Sequence, residues 1–544
     1  MARKISPLET ARLDYRSARP HMFERGIGAV SVTHGRETSS RADEPAIRAA
    51  FPDLFGAPRI HFAAGEQAGS SRPLKVGVVL SGGQAPGGHN VIAGLHDALV
   101  GGHPDSRVIG FLAGPRGIFD SNYRELSPAE IDAHRNTGGF DLIGSGRDKI
   151  ETPDQLAACR ETCAGLALDG LVVIGGDDSN TNAAVLAQYF ATHSQPTVVV
   201  GAPKTIDGDL KGGGIEASFG FDTATKLYSE LIGNVERDAR SAGKYWHFIK
   251  LMGRSASHVT LECALATRPN IALIGEEIRA QGWTLAELTD HIAGIVRDRA
   301  AAGRSYGVCL VPEGLIEFLP EIGSLIEEIN RLLAKDVEVS ALAERLTPQN
   351  AAVFSALPRR IREQLLLDRD SHGNVQVSRI DTEALLIETV RRRLAPGAAS
   401  GEFDGKFQTQ HHFFGYEGRC AAPSNFDANY TTALGQVAAI LIEHGKTGYL
   451  CHVGNLAAAA AEWTAGGLPL TALMRMETRK GHPTAVIAKA LVDLEDAPFA
   501  EFAAQRDGWK TEDAYVYPGP IQYFGPPEIT ERTTVTLQLE GGNK

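Results

Sequence analysis

Residues 171–190, LVVIGGDDSNTNAAVLAQYF, run four apolar residues into two glycines, two aspartates and then a helical pattern. A β-branched run that closes on glycine and leads into a helix is typical of a parallel strand in an α/β protein. The loop after such a strand lies at a helix N-terminus, where anions bind. Asp177 and Asp178 repel each other there. Capping by Asp178, Ser179 or Asn180 is the alternative, but one cap does not require two carboxylates.

The same pattern recurs along the chain and predicts an α/β fold with parallel-rich sheets covered by helices. The other strand-like runs are KVGVVL (75–80), RVIGFL (107–112), TVVVG (197–201), IALIGE (271–276) and GVCLV (307–311). A length of 544 residues favours two globular domains with insertions. Ligands of such folds bind at the carboxyl ends of the strands, so the loops there are the candidate sites.

Composition excludes several classes of function. The chain is 43% hydrophobic and 22% charged, and no run of about 18 apolar residues predicts a membrane span. The net charge of −12 opposes nucleic-acid binding, which needs clustered cations. The N-terminus lacks the apolar stretch of a secretory signal, so we expect a cytoplasmic protein that binds small molecules.

Three loops carry residues suited to phosphate chemistry. Gly82 and Gly83 follow the first of the buried runs, and glycines there let backbone N–H groups approach an anion, although a structural tight turn explains them equally well. Asp177 suits Mg²⁺ that bridges to a phosphate. Lys204 and Asp207, in the third loop, suit a cation and a general base for phosphoryl transfer, with a salt-bridged turn as the alternative.

Taken together, six motifs resemble the phosphofructokinase family, and within it the long-form branch that uses diphosphate. They are SGGQAPGG (81–88), GGDDS (175–179), PKTIDGD (203–209), LMGR (251–254), PEG (312–314) and YEGR (416–419). The resemblance implies a Mg²⁺-dependent enzyme of glycolysis and gluconeogenesis. It would move a phosphoryl group reversibly from diphosphate to the 1-hydroxyl of fructose 6-phosphate, giving fructose 1,6-bisphosphate and phosphate. It also implies two Rossmann-like domains with the active site in the cleft between them.

The family's roles carry over to the matching positions. Asp207 would be the catalytic base, assisted by Lys204, Thr205, Asp209 and Asp178, and Asp177 would hold the metal. Diphosphate would bind to Gly82, Gly83, Arg147 and Lys149. Fructose 6-phosphate would bind to Thr205, Ile206, Asp207, Lys244, Tyr245, Met252, Gly253, Arg254, Glu313, Tyr416, Glu417, Gly418 and Arg419.

Two positions bear on the choice of donor. ATP-dependent bacterial members carry glycine where this chain has Asp178 and Lys204, so the resemblance implies that Asp178 excludes the α-phosphate of ATP by its volume and charge. The alternatives are an ATP-dependent enzyme, or a catalytically silent regulatory subunit of the same fold. Asp177, Asp207 and Asp209 are all present, which disfavours a silent subunit.

One departure concerns assembly. On the strand before LMGR, ATP-dependent enzymes reach into the neighbouring subunit with an arginine, whereas this register falls on Tyr245 with Lys244 beside it. We therefore expect a homodimer with shared sites. The expected domains are a donor domain (71–218 and 418–485), a fructose 6-phosphate domain (219–417) with a helical insertion at about 318–400, an N-terminal arm (1–70) and a C-terminal segment (486–544) packed on the body.

Overall fold

The computed structural model describes residues 5–65, 72–335, 337–367, 375–401, 403–479 and 482–542. Parts of the predicted arm, insertion, donor domain and C-terminal segment therefore lie outside the described residues. Among those described, no helix combines the length and the apolar character that crossing a membrane requires.

The strands are β1 (Val30–Glu37), β2 (Pro58–Ala64), β3 (Lys75–Leu80), β4 (Arg107–Phe111), β5 (Tyr123–Glu125), β6 (Gly170–Gly175), β7 (Val198–Thr205), β8 (Phe219–Gly220), β9 (Tyr245–Leu251), β10 (Ile271–Ala272), β11 (Tyr306–Pro312), β12 (Thr409–Phe414), β13 (Tyr449–Gly454), β14 (Thr464–Pro469), β15 (Met474–Arg479) and β16 (His482–Ile487). The first ten helices are α1 (Pro7–Leu13), α2 (Glu44–Ala50), α3 (Gly88–Gly102), α4 (Arg116–Phe119), α5 (Pro128–His134), α6 (Pro153–Gly165), α7 (Asp177–Thr192), α8 (Phe221–Ala242), α9 (His258–Thr267) and α10 (Gly275–Gln281). The others are α11 (Leu285–Ala301), α12 (Leu315–Phe318), α13 (Pro320–Leu333), α14 (Leu342–Arg345), α15 (Pro348–Ala356), α16 (Arg359–Leu367), α17 (Thr382–Ser400), α18 (Tyr416–Arg419), α19 (Asn425–Glu443), α20 (Ala497–Thr511), α21 (Pro527–Thr530) and α22 (Val535–Gly541).

The larger sheet has the order β1-β2-β14-β13-β7-β6-β3-β4-β5, with β8 paired to β7. Its centre, from β13 to β4, is parallel, and its outer pairs are antiparallel. The central strands β3, β6 and β7 are buried along almost their whole length, because helices cover both faces of a parallel sheet. This confirms the α/β prediction.

The smaller sheet is parallel throughout, in the order β10-β11-β9-β12. Side chains of β11 alternate between two cores, as the period of a strand requires. Val308 and Leu310 join the core shared with the larger sheet, whereas Cys309 and Val311 join a second core. That second core also contains Leu325 and Leu386 of the helical insertion, so the insertion packs on one face of the smaller sheet.

The larger domain is built from two separate segments of the chain. The long helix α8 carries the chain away from β8 to the smaller sheet, and α19 brings it back. There α19 crosses α3 at close range, because a Cβ at Gly94 would overlap Thr432 O and one at Gly435 would overlap Val91 O. Small residues at both positions let the two helix backbones touch.

Three peripheral regions differ from, or add to, the predicted organisation. The N-terminal region is more than an arm on the surface, because β1 and β2 form an antiparallel pair that joins the large sheet through β14. The insertion is helical over its described residues, as predicted. Strands β15 and β16 form a separate two-stranded hairpin that the sequence interpretation did not anticipate.

Candidate active site

The loops after β3, β6 and β7 line one cleft together with residues that follow β9 and β12 of the smaller sheet. The predicted site residues along this cleft are Gly82, Gly83, Arg147, Lys149, Asp177, Asp178, Lys204, Thr205, Ile206, Asp207, Asp209, Arg254 and Arg419. Segments that are far apart in sequence thus meet at the carboxyl ends of the strands, as the topology of an α/β sheet requires.

The loop after β3 admits cations because its glycines lack side chains. A Cβ at Gly83 would overlap the guanidinium of Arg419, and the ammonium of Lys204 donates to Gly83 O at 2.7 Å. Gly82 has a φ of 84°, a conformation that glycine adopts without strain. The Gly82 N–H donates to Gly146 O at 2.8 Å, so this N–H must leave Gly146 before it can donate to a phosphate of the donor.

Asp177 and Asp178 occupy the first two positions of α7. The N-cap position before the helix is Gly176, and no side chain caps the helix there, which argues against the capping alternative. Asp178 Oδ1 lies 2.5 Å from Arg479 Nη1 and 3.7 Å from Lys149 Nζ. The adjacent aspartates therefore point to different partners, since Asp177 Oδ2 lies 3.7 Å from Lys489 Nζ.

The loop after β7 places two further carboxylates in the cleft. The Asp207 N–H donates to Thr205 Oγ1 at 3.0 Å, and Gly208 has a φ of 74° that turns the chain between Asp207 and Asp209. Asp209 is buried. Its burial, and then the charge of Asp207, raise the pKa of Asp209 to about 7.

Lys204 is a buried cation at the centre of the cleft. Burial, and next the charge of Arg419, lower the pKa of Lys204 to about 8. A desolvated cation with nearby positive charge favours an anion beside it. The cleft is thus prepared for a phosphate group.

The wall formed by the smaller sheet is fixed by backbone contacts. The Gly253 N–H donates to Glu313 Oε2 at 3.1 Å, and a Cβ at Gly314 would overlap Arg254 O. Glu313 is only 2% exposed, and burial followed by the charge of Asp207 raises its pKa to about 7. Burial alone would lower the pKa of Arg254, but the nearby carboxylates, with Asp207 and Glu313 foremost, together raise that pKa overall.

The YEGR segment forms the short helix α18. Gly418 is required because a Cβ there would overlap the hydroxyl of Tyr228, which donates to Gly415 O at 2.5 Å. Tyr416 is 68% exposed and Glu417 is also exposed, whereas Arg419 Nε is buried with no hydrogen-bond partner within the described ranges. An unpaired guanidinium N–H beside Lys204 suits an anionic ligand. Next to this helix, the Met252 N–H donates to Phe414 O at 3.0 Å and holds the LMGR turn against β12.

Eight predicted residues do not line this cleft. Six of them adjoin Arg254 or Arg419 in the sequence or contact the LMGR turn: Met252, Gly253, Glu313, Tyr416, Glu417 and Gly418. The other two, Lys244 and Tyr245, lie far from it. Lys244 precedes β9 and Tyr245 begins it, whereas Met252 and Arg254 follow its other end. The seven residues of β9 separate these ends by about 20 Å, at roughly 3.3 Å per residue. Lys244 and Tyr245 therefore lie too far from the cleft of their own chain to contribute to it. Tyr245 also has a φ of 74°, an outlier for a bulky residue.

Sequence reasoning missed two cations: Lys489, which lines the cleft, and Arg479, which pairs with Asp178 at its edge. Lys489 Nζ donates to Ser255 Oγ at 2.9 Å and lies 3.7 Å from Asp209 Oδ2 as well as 3.7 Å from Asp177 Oδ2. Neither residue follows a strand that leads into a helix, so no loop signal marks it.

Lys489 lies within residues 488–492, which we call the strap. Its backbone N–H groups donate to both domains: Ala488 to Leu473 O at 2.9 Å, Ala490 to Asp209 O at 2.7 Å, and Val492 to Glu276 Oε1 at 3.0 Å. The strap therefore fixes Lys489 across the cleft, between the carboxylates of one domain and Ser255 of the other.

The carboxylates of the cleft fit a magnesium ion that uses substrate oxygens. Within the described ranges, no group of three or more His, Cys, Asp or Glu side chains could enclose a metal. Magnesium, however, usually takes one or two carboxylates plus waters and phosphate oxygens. Asp177 and Asp209 converge on one cation already, the ammonium of Lys489. Burial raises the pKa of Asp209, and the charges of Asp207 and Asp177 raise it further.

Comparison with known proteins identifies the family. The pattern described as Phosphofructokinase matches residues 75–356. Pyrophosphate–fructose 6-phosphate 1-phosphotransferase of Treponema pallidum is 52% identical, covering 98% of this chain and 97% of its own, and that of Porphyromonas gingivalis is 50% identical over 99% and 100%. A pyrophosphate-dependent phosphofructokinase structure from Marinobacter aquaeolei shares the fold, with a TM-score of 0.53 at 16% identity over 81% of this chain and 93% of its own. Because the family pattern covers half of the chain and the curated relatives align with nearly all of it, the chain belongs to the phosphofructokinase family.

Proposed function

We propose that the protein transfers a phosphoryl group reversibly between diphosphate and the 1-hydroxyl of fructose 6-phosphate. The observation that carries this proposal is the position of Lys204, whose ammonium touches the donor loop at Gly83 O and lies in the field of Asp207. A buried cation between a phosphate-binding loop and a carboxylate is what in-line phosphoryl transfer needs. The names of relatives that are about 50% identical over their full length support the same reaction.

Asp207 acts as the general base. Its carboxylate accepts the proton of the 1-hydroxyl while the hydroxyl oxygen attacks the terminal phosphorus of diphosphate, and phosphate leaves. In the reverse direction the protonated Asp207 returns the proton to the sugar oxygen. Lys204 stabilises the charge on the equatorial oxygens of the transferring group.

The two walls of the cleft hold the two substrates. Gly82, Gly83, Arg147 and Lys149 bind the donor, and Arg419 reaches the donor loop from the opposite wall. Arg254 binds the acceptor phosphate, because a guanidinium grips a phosphate with two hydrogen bonds. Glu313 accepts hydrogen bonds from the sugar hydroxyl groups. Residues 252–253 and 416–418 also contact the sugar phosphate. Thr205 and Ile206 shape the floor beside Asp207.

Asp177 would hold Mg²⁺, with Asp209 as its neighbour. When bound there, the ion would neutralise negative charge on the phosphates. The protein's own contribution is to place Asp177 at the start of α7 and to keep Lys489 close enough to balance the carboxylates in the absence of the ion.

The active enzyme is a cytoplasmic homodimer. Lys244 and Tyr245 lie at the far end of β9 from their own cleft, so a second copy is needed to bring them to an acceptor site. The two residues would then bind fructose 6-phosphate of the partner subunit.

The test is product formation from fructose 6-phosphate with either diphosphate or ATP as the donor, with and without Mg²⁺. We expect fructose 1,6-bisphosphate with diphosphate and Mg²⁺, and the reverse reaction with phosphate. A preference for ATP would favour the ATP-dependent alternative, and no turnover with either donor in folded protein would favour a silent subunit.

A further inference from the structure

The far end of the donor side of the cleft carries an ion pair between two elements that are distant in sequence. Arg479, the last residue of β15, places Nη1 2.5 Å from Asp178 Oδ1, and its Nη2 lies 3.5 Å from Glu477 Oε2. Lys149 Nζ lies 3.7 Å from the same Asp178 oxygen. Asp178 is therefore a paired carboxylate that faces at least two cations.

The hairpin that carries Arg479 is tied to the donor domain by its backbone. The Ile487 N–H donates to Thr181 Oγ1 at 3.1 Å, one turn along α7 from Asp178. The Met476 N–H donates to Asp43 Oδ2 at 2.8 Å, and Met474 O accepts from the Arg41 N–H at 3.0 Å. These bonds fix β16 to α7 and β15 to the N-terminal region. The fold itself therefore holds Arg479 next to Asp178.

Pairing changes how Asp178 can exclude a longer donor. A free carboxylate would repel a third phosphate by its charge, but Arg479 and Lys149 compensate that charge. A longer donor would instead collide with the paired side chains of Asp178 and Arg479, which are 37% and 27% exposed. To pass, it must break a partly buried, charge-assisted hydrogen bond.

We propose that Arg479 and Asp178 form a wall that ends the donor pocket after two phosphates, which makes Arg479 a residue that determines donor specificity. The proposal rests on the proposed diphosphate activity and adds a residue to it. The relevant competitors are donors with three phosphates in a row, whether or not a nucleoside is attached.

The probe is inorganic tripolyphosphate, the smallest such donor. If it reacts, the bridging P–O bond at its terminal phosphorus breaks and diphosphate leaves. The phosphoryl group joins the 1-hydroxyl oxygen of fructose 6-phosphate, whose proton passes to Asp207. We would measure kcat/KM with tripolyphosphate and with diphosphate for the wild type, Arg479→Met, Asp178→Gly and the double variant. The control is Arg475→Met, which removes an arginine paired with Glu477 on the same hairpin. Melting temperatures check that each variant folds.

We expect Arg479→Met to raise the ratio of tripolyphosphate to diphosphate efficiency by about tenfold, the scale on which one excluded group is discriminated. The double variant should add little to the larger single effect, because both changes open the same wall. Arg475→Met should leave the ratio unchanged.

A fall of the tripolyphosphate-to-diphosphate ratio in Arg479→Met would overturn the proposal. If Asp178 acts as a free charge, removing Arg479 uncovers that charge and lowers the ratio, while Asp178→Gly raises it. An unchanged ratio in Arg479→Met would equally reject the wall. A wild-type enzyme that does not use diphosphate at all would contradict the proposed function instead, so the two failures can be told apart.

Discussion

Asp207 is the residue on which the proposed chemistry depends most directly. We expect Asp207→Asn to keep both Michaelis constants near the wild-type values and to lose about 10²- to 10⁴-fold in kcat, because an amide keeps the shape but cannot accept the hydroxyl proton. Steady-state kinetics in both directions would measure this. Asp132→Asn, on the exposed side of α5, is the matched control. Near-normal turnover of folded Asp207→Asn protein would remove Asp207 from its role.

The lowered pKa of Lys204 predicts that activity falls at basic pH. Because burial and Arg419 lower its pKa to about 8, the free enzyme loses this cation as the pH rises through 8, and kcat/KM should fall there. Arginine stays charged at any such pH. In Lys204→Arg, which we expect to be slower overall, the fall near pH 8 should therefore disappear. If kcat/KM of both proteins falls near pH 8 with the same substrates, a group other than Lys204 causes the fall.

At this scale the sequence predicted the residues that follow buried strands and missed those that do not. Asp177, Lys204 and Asp207 could be predicted because each lies just after a β-branched run, at a turn. Arg479 and Lys489 reach the cleft from a hairpin and a strap about 300 residues after Asp177, and only tertiary packing brings them there. The charge partner of Asp178 could not be predicted for the same reason.

At the scale of elements, the strap makes its own prediction. Lys489→Met removes the ammonium that lies between Asp177, Asp209 and Ser255, so three polar groups lose their shared partner. We expect kcat/KM to fall by about 10²-fold, as for loss of one electrostatic contact in an active site, with partial recovery in Lys489→Arg.

The matched control for the strap is Lys335→Met, at an exposed lysine of the helical insertion. Both variants should keep the wild-type melting temperature to within a few degrees. Activity of Lys489→Met equal to that of the control would show that the strap is structural only.

Helices and strands could be predicted where their sequences show a clear apolar pattern. The central parallel strands were evident because both faces are buried and their sequences are continuously apolar. Strand β1 is mostly exposed and β15 carries charged residues, so neither shows an apolar run. Their pairing depends on partners elsewhere in the chain, which periodicity does not reveal.

At the scale of the whole molecule, the two ends of β9 predict complementation between subunits. Lys244→Ala should raise the Michaelis constant for fructose 6-phosphate more than that for diphosphate. Mixing Lys244→Ala with Asp207→Asn subunits should restore part of the wild-type activity, because one mixed site then receives an intact Asp207 and an intact Lys244. No recovery in mixed dimers verified by mass would argue against shared sites.

The split construction of the larger domain has a consequence for synthesis. The antiparallel pair of β1 and β2 is synthesised first, whereas β14, the strand that pairs with β2, follows about 400 residues later. At roughly 5 to 20 residues per second, β2 waits tens of seconds for this partner. During that time the edge of β2 is an unpaired template for other chains. The nascent protein should therefore engage chaperones through its N-terminal third, and ribosome-bound chains truncated before residue 464 should remain sensitive to protease there even when the smaller sheet has already become resistant.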